Sequence, residues 1–173
     1  MTPSASRRLV IVSGGQAGVD RGALDAAVAA GAPYGGWCPA GGIAEDLPEA
    51  PGLLARYPSL RETASPEPDV RTRLNVRDSD ATLVVAPDGP LTGGTRLTVE
   101  VADRTGRPHL VTTGGAAQAP AVLAWLREVA AGLDPDAPLV LNVAGPRASG
   151  WAGGHEAARA LVASVLEGTL GPC

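Results

Sequence analysis

Apolar positions in this chain come in short blocks separated by glycine, and the blocks change period in a regular way. Leu9–Val12 is a continuous apolar run that stops at Ser13-Gly14-Gly15. Beyond it, Leu24, Ala27, Val28 and Gly31 fall at the i, i+3, i+4, i+7 spacing of a buried helical stripe. The pattern predicts a strand, a glycine turn and a helix ended by Gly31-Ala32-Pro33. Residues 34–38 are a candidate second strand, weakened by Gly35 and Gly36. Residues 39–69 follow neither template and are rich in Pro, Gly, Ala and acidic side chains. A connection of that length is expected either to run over the surface and cover a sheet edge, or to act as a lid.

Regular alternation then resumes. Residues 70–77 read as a helix, 81–86 as a buried strand, 87–94 as a second glycine-rich loop, and Thr95 as the start of a helix reaching about residue 105. Residues 109–113 and 139–143 are the next strands. Between them, 120–131 is a helix with Val122, Leu123, Leu126 and Val129 on one face. Residues 144–149 form a third glycine loop, and a helix over 154–167 turns Ala158, Leu161, Val162 and Val165 inward. Strands that alternate with helices and lack a polar face call for a parallel sheet covered on both sides. The prediction is an α/β protein, a single Rossmann-like doubly wound domain over residues 1–173 with a mainly parallel sheet of about five strands.

In such a sheet every strand-to-helix loop lies on one edge, so loops 13–18, 87–95 and 144–149 are expected to converge. Glycines let a backbone turn sharply and approach a ligand, while the helix behind each loop offers unpaired N–H groups and the positive end of its dipole. An anion, most often phosphate, is favoured there. Gly14, Gly15 and Gly18 form neither G-x-G-x-x-G nor a P-loop, so neither a dinucleotide nor an NTPase activity follows. Taken alone, Gly14-Gly15 suits a ligand-free turn as well as a phosphate turn; three glycine loops on one edge favour binding. The candidate contacts are Ser13, Gly14, Gly15, Gln16 and Gly18 in the first loop, Thr92, Gly93, Gly94 and Thr95 in the second, and Gly145 and Arg147 in the third. Arg21, Arg71, Arg96 and Arg147 are candidate charge partners for the anion, and Asp20 suits the dipole of the first helix. Glu100 reads either as a solvated or capping glutamate or as an acceptor for a sugar hydroxyl. His109 and His155 lie in no nucleophile-and-acid pattern and read as structural, and Ser13 lies outside any G-x-S-x-G elbow.

Composition narrows the function classes. With 45% hydrophobic and 18% charged residues the chain is globular, and its length fits one core. Every basic residue is Arg and Phe is absent, which reads as the codon bias of a GC-rich genome. A net charge of -4 argues against a general nucleic-acid surface, though it permits a small anion held by a few arginines. Cys38 and Cys173 make neither a metal spacing nor a disulfide framework, and no directly bound metal is expected. No stretch reaches the roughly 20 apolar residues of a membrane span, and residues 1–8 are polar. The expectation is a soluble, unexported, cytoplasmic protein with no membrane partner.

Several segments together resemble the putative molybdenum carrier family, within the Rossmann-like superfamily of DNA-processing protein A and the lysine-decarboxylase-like phosphoribohydrolases. They are Ser13-Gly14-Gly15-Gln16-Ala17-Gly18-Val19-Asp20-Arg21, Gly35-Gly36-Trp37-Cys38-Pro39 with Ala44-Glu45-Asp46, Arg56-Tyr57-Pro58, Arg61-Glu62-Thr63, Arg71-Thr72, Asn75-Val76-Arg77-Asp78-Ser79-Asp80, Leu91-Thr92-Gly93-Gly94-Thr95 and Asn142-Val143-Ala144-Gly145-Pro146-Arg147. The resemblance covers nearly the whole chain. It implies a carrier that holds molybdenum cofactor, or a similar phosphorylated pterin or nucleotide, without catalysis, and that forms homodimers or higher homo-oligomers. Two departures stand out. Ala40-Gly41-Gly42-Ile43 replaces the basic residues that usually follow Trp-Cys-Pro, which puts tight anion binding in doubt. Gly93, Gly94 and Glu100 match the phosphoribohydrolase Pro-Gly-Gly-x-Gly-Thr-x-x-Glu motif, but Arg96 and Leu97 stand in place of its later Gly and Thr. The alternatives are therefore a nucleoside-monophosphate phosphoribohydrolase with Glu100 on the ribose, and a nucleotide-sensing module that signals through oligomerisation.

Overall fold

The computed structural model describes residues 7–170, leaving the side chain of Leu170 aside. The readings made for residues 1–6 and for Cys173 lie outside the described residues. Strands β1 (Leu9–Val12), β2 (Tyr34–Gly35), β5 (Ala81–Val85), β6 (His109–Thr112) and β7 (Leu139–Ala144) form one sheet in the order β2-β1-β7-β5-β6, and every pair is parallel. The predicted five-stranded, doubly wound α/β domain is the fold observed. Helices α1 (Val19–Ala29), α5 (Ala119–Ala131) and α6 (Gly154–Leu170) share one apolar cluster with the central strands. Helices α3 (Pro68–Arg77) and α4 (Gly93–Thr105) meet each other through Val76, Val101 and Ala102. All five residues of β5 are buried, as a strand covered on both faces requires.

The centre of the sheet carries polar stitches as well as apolar packing. Ser13 donates its hydroxyl to the carbonyl of Val143 at 2.6 Å, tying β1 to β7, and Asn142 Nδ2 donates to Thr82 Oγ1 at 3.3 Å, tying β7 to β5. Buried hydroxyls and amides that lacked such partners would each lose their hydration uncompensated.

The structure departs from the periodic pattern in three places. The stripe on α1 holds at Leu24 and Ala27, but Val28 is 50% exposed because the last turn of the helix runs beyond the core. Residues 34–38 are two strands, not one. Gly36, at φ 125°, breaks the run, so that Trp37–Cys38 (β3) leaves the main sheet and pairs in parallel with Arg61–Glu62 (β4). A Cβ at Gly36 would fall 2.3 Å from the carbonyl oxygen of Ser13, so this break also brings two backbones together. Finally, residues 39–69 contain the 3₁₀ turn Ala40–Gly42 and the short helix α2 (Leu53–Arg56), organised by a second apolar cluster of Leu24, Cys38, Ala44, Leu53, Tyr57 and Leu60. The segment packs as a covering layer over α1, and its apolar residues are too few and too irregularly spaced to show a period.

Helices α1 and α6 are in close backbone contact at Gly22, where a Cβ would sit 2.1 Å from the carbonyl oxygen of His155. Backbone cannot swing aside as a side chain can. Gly22→Ala is expected to force the helices apart and cost about 2–3 kcal/mol, read as a lower urea midpoint. Gly132→Ala, at a residue with φ -90° and nothing closer to its Cβ than 3.6 Å, is expected to leave the midpoint nearly unchanged.

Candidate functional site

Parallel pairing carries the C-terminal ends of β1, β5 and β7 to one edge. The connection after β1 leads outward to β2, the one after β5 leads the other way to β6, and β7 stands between them. A crevice opens where neighbouring connections diverge in this way. Here it is a cavity of about 430 Å³. Its walls are Gln16 and Asp20 after β1, residues 68, 69, 71 and 72 at the start of α3, most of residues 86–95 with Thr98 of α4, and most of residues 144–150 after β7.

The second wall presents bare backbone. Thr92, the residue before α4, is extended and makes no side-chain cap, so the first-turn N–H groups of a thirteen-residue helix are left without a threonine acceptor. Gly93 sits at φ 53°, and a Cβ at Gly93 or Gly94 would meet nothing within 4 Å. The helix start therefore faces open space, and its N–H groups and dipole point to where an anion would be stabilised.

Arg71 lines the same cavity. Nη1 donates to Asp20 Oδ2 at 2.7 Å, with Asp20 only 3% exposed and the arginine side chain 13%. Asp20 also accepts the N–H of Gln16 at 3.3 Å. Gly14 makes the seat possible, because a Cβ there would lie 1.6 Å from Nη1. Arg71 Nε is buried and has no partner. A donor left in that state retains hydrogen-bonding capacity that a ligand can satisfy. Asp69, Asp88 and the exposed Arg147 complete the charges around the cavity.

Residues 11–166 match the family described as circularly permutated YpsA SLOG. The chain belongs to that family. A solved structure similar to it is that of a putative molybdenum carrier protein from Syntrophus aciditrophicus SB, which is 34% identical with a TM-score of 0.81; the alignment covers 94% of this chain and 97% of the other. The resemblance to molybdenum carriers drawn from the motifs thus extends to a solved fold. No curated protein matches the chain.

In this member of the family the sequence-predicted residues divide into three groups. Gln16, Arg71, Thr92, Gly93, Gly94, Thr95, Gly145 and Arg147 line the cavity. Ser13, Gly14, Gly15, Gly18 and Arg21 build the wall behind it. Ser13 is fully buried and spends its hydroxyl on Val143, so it is no phosphate donor. Gly15, at φ 77°, backs onto Leu53 and Leu60, and Gly18, at φ 114°, passes against Pro146 and bridges to Arg147. Arg21, 4% exposed, donates Nη1 and Nη2 to the two carboxylate oxygens of Asp46, both at 2.9 Å, and Nε to the carbonyl of Gly15 at 3.1 Å. It clamps the loop instead of an anion.

The third group faces away. Arg96 and Glu100 pair with each other at 3.1 Å on the surface, 68% and 50% exposed, and neither lines the cavity. Thr95 and Thr98 occupy the inward face of α4, and the 100° step of the helix turns Arg96 and Glu100 off it. Sequence reasoning missed Asp69, Thr72, Asp88, Thr98 and Ser149, which carry no spacing signal of their own. It also missed the role of Asp20, whose partner lies 51 residues away. Segment 39–69 contributes only Pro68 and Asp69 to the lining. Cys38 is buried, which pushes its thiol up to about 11 and leaves it unreactive. Among the described residues, no helix is long and apolar enough to cross a membrane, and no three His, Cys, Asp or Glu side chains gather as a metal site.

Two carboxylates near these walls link stability to pH. The Arg21 hydrogen bonds hold Asp46 below its ordinary 3.8, against a smaller opposing push from burial. At Asp25, burial pushes upward, but hydrogen bonds from Tyr57 and His155 and the charge of Arg56 outweigh it, and the carboxyl is again lowered. The unfolded chain therefore binds these protons more readily than the folded one. Their stabilisation is complete above about pH 5 and is lost as the pH falls through 3.8 toward the lowered folded values. The urea midpoint is expected to drop over that window, and less steeply in Asp46→Asn.

Proposed function

We propose that this protein is a carrier whose cavity holds a small phosphorylated ligand, molybdenum cofactor or a similar phosphorylated pterin or nucleotide, and performs no chemistry on it. The observation that carries the reading is the half-buried guanidinium of Arg71. It is fixed by Asp20, keeps an unpartnered Nε, and lines the same cavity as the open N-terminus of α4. A phosphate in that cavity would meet the charge of Arg71 and the backbone N–H groups at the start of α4. Arg147 stands at the third wall as a further charge partner. The volume falls within the roughly 300–1,000 Å³ of small-molecule sites. The name of the similar Syntrophus protein supports the molybdenum assignment. The cofactor enters here as cargo and not as a resident group. The same reading takes the carrier to be cytoplasmic, as its cysteine usage and apolar pattern imply, and a homodimer or higher homo-oligomer, as the family resemblance implies. The outward position of Glu100 leaves the ribose of a bound nucleotide without that acidic residue, which favours carriage over hydrolysis.

Titration calorimetry with purified molybdenum cofactor and with guanosine monophosphate tests this. Saturable binding of at least one ligand is expected. It should weaken about tenfold in Arg71→Lys, which keeps a charge beside Asp20 but loses the Nε donor, and should be unchanged in Glu100→Gln. No saturable heat with either ligand would overturn the carrier. Release of free base from the nucleotide, abolished in Glu100→Gln, would replace it with the hydrolase.

A further inference from the structure

The two-residue turn Glu45-Asp46 has both carboxylates committed to loops of the cavity, one to each of two walls. The turn is closed by a reciprocal pair of backbone bonds between Ala44 and Leu47, both 3.0 Å, and Ala44 is buried in the second apolar cluster. Asp46 holds Arg21 in the two-pronged contact described above, which fixes the turn to the β1–α1 loop. The N–H of Glu45 donates to Gln16 Oε1 at 2.8 Å, and the same oxygen accepts the N–H of Ala17 at 3.1 Å. The Glu45 side chain reaches the other way. Oε1 accepts the N–H of Ser149 at 3.2 Å and Oε2 accepts its hydroxyl at 2.7 Å.

We infer that Glu45 is a positioning residue for the cavity, a brace that holds the rim after β7 against the loop after β1. Ser149 and Gly150 line the cavity, and the carbonyl of Arg147 accepts both Gly150 N–H and Trp151 N–H at 2.9 Å, so displacement of Ser149 passes directly to Arg147. The start of this segment has its own backbone ties, Ala148 N–H to Ala17 at 2.7 Å and Val19 N–H to Pro146 at 3.4 Å. Past Ala148, Glu45 supplies the side-chain link to the opposite wall. Glu45 does not itself line the cavity; it acts through Ser149 and Arg147. The consequence for ligand affinity rests on the anion-binding reading above, whereas the consequence for the rim does not.

Two measurements on the full chain separate these. Hydrogen–deuterium exchange of the peptide covering residues 145–151 reads the rim, and calorimetry with guanosine monophosphate reads the cavity. In Glu45→Ala, exchange in that peptide should rise about tenfold and affinity should fall about three- to tenfold, the size of losing one charge-assisted contact at an exposed rim. Glu45→Gln, whose amide can accept from Ser149 N–H and donate to its hydroxyl, should restore both. Ser149→Ala removes half of the contact from the other side without altering the turn, and the effects of Glu45→Ala and Ser149→Ala should be non-additive. Unchanged exchange in Glu45→Ala, or faster exchange with unchanged affinity, overturns the brace. Absence of wild-type binding to both guanosine monophosphate and molybdenum cofactor overturns the anion reading instead, and the exchange arm then decides by itself whether Glu45 holds the rim.

Discussion

Because β7 hydrogen-bonds to β1 on one side and to β5 on the other, loops separated by about 130 residues of chain share one edge of the sheet. The cavity depends on that insertion. Its first and third walls are brought together by strand pairing, and the second is supplied by the strand on the far side of β7. Apolar burial drives the pairing and disfavours a one-residue slip, which would exchange the two faces of each strand. The polar stitches from Ser13 to Val143 and from Asn142 to Thr82 add to that specificity.

Four arginines that look alike in the sequence end in different states, and the difference lies in how much of each side chain is taken from water. Arg21 has its whole fork occupied by Asp46 and Gly15 and serves as a clamp. Arg71 has one nitrogen occupied and another buried without a partner. Arg96 is solvated and paired within its own helix, where such a pair contributes only a few tenths of a kcal/mol. Arg147 is exposed at the mouth. The burial of Arg71 matters most, because a desolvated guanidinium interacts with a second anion in a lower dielectric than a surface one.

Period and punctuation were enough to read the five-stranded sheet, the longer helices and the convergence of three glycine loops, since these rest on continuous apolar runs, a repeat of 3.6 residues and clustered glycines. They were not enough where one side chain's environment is set by a distant one. Gly14 reads as a backbone donor in sequence but proves to be a slot for Arg71, and nothing local distinguishes the two. Residues 39–69 looked structureless because their small core borrows Leu24 from α1. Glu100 sat at the spacing of a known motif, yet the phase of α4 turned it outward. Glu45 and Asp46 were visible only as part of a family pattern, with no physical role until Ser149 and Arg21 were placed beside them.

The central position of β7 also has a consequence for how the chain is made. The strand at the middle of the sheet is synthesised about 130 residues after the strand it joins, so β1 and β5 have no common neighbour while most of the chain is already outside the ribosome. Each then shows an open, apolar, hydrogen-bonding edge, the kind of surface that pairs with the wrong strand or the wrong molecule. Native contacts of this range form late and slowly. The two halves of the sheet can therefore join only once β7 has been made, and the walls that follow β1, β5 and β7 come together only then.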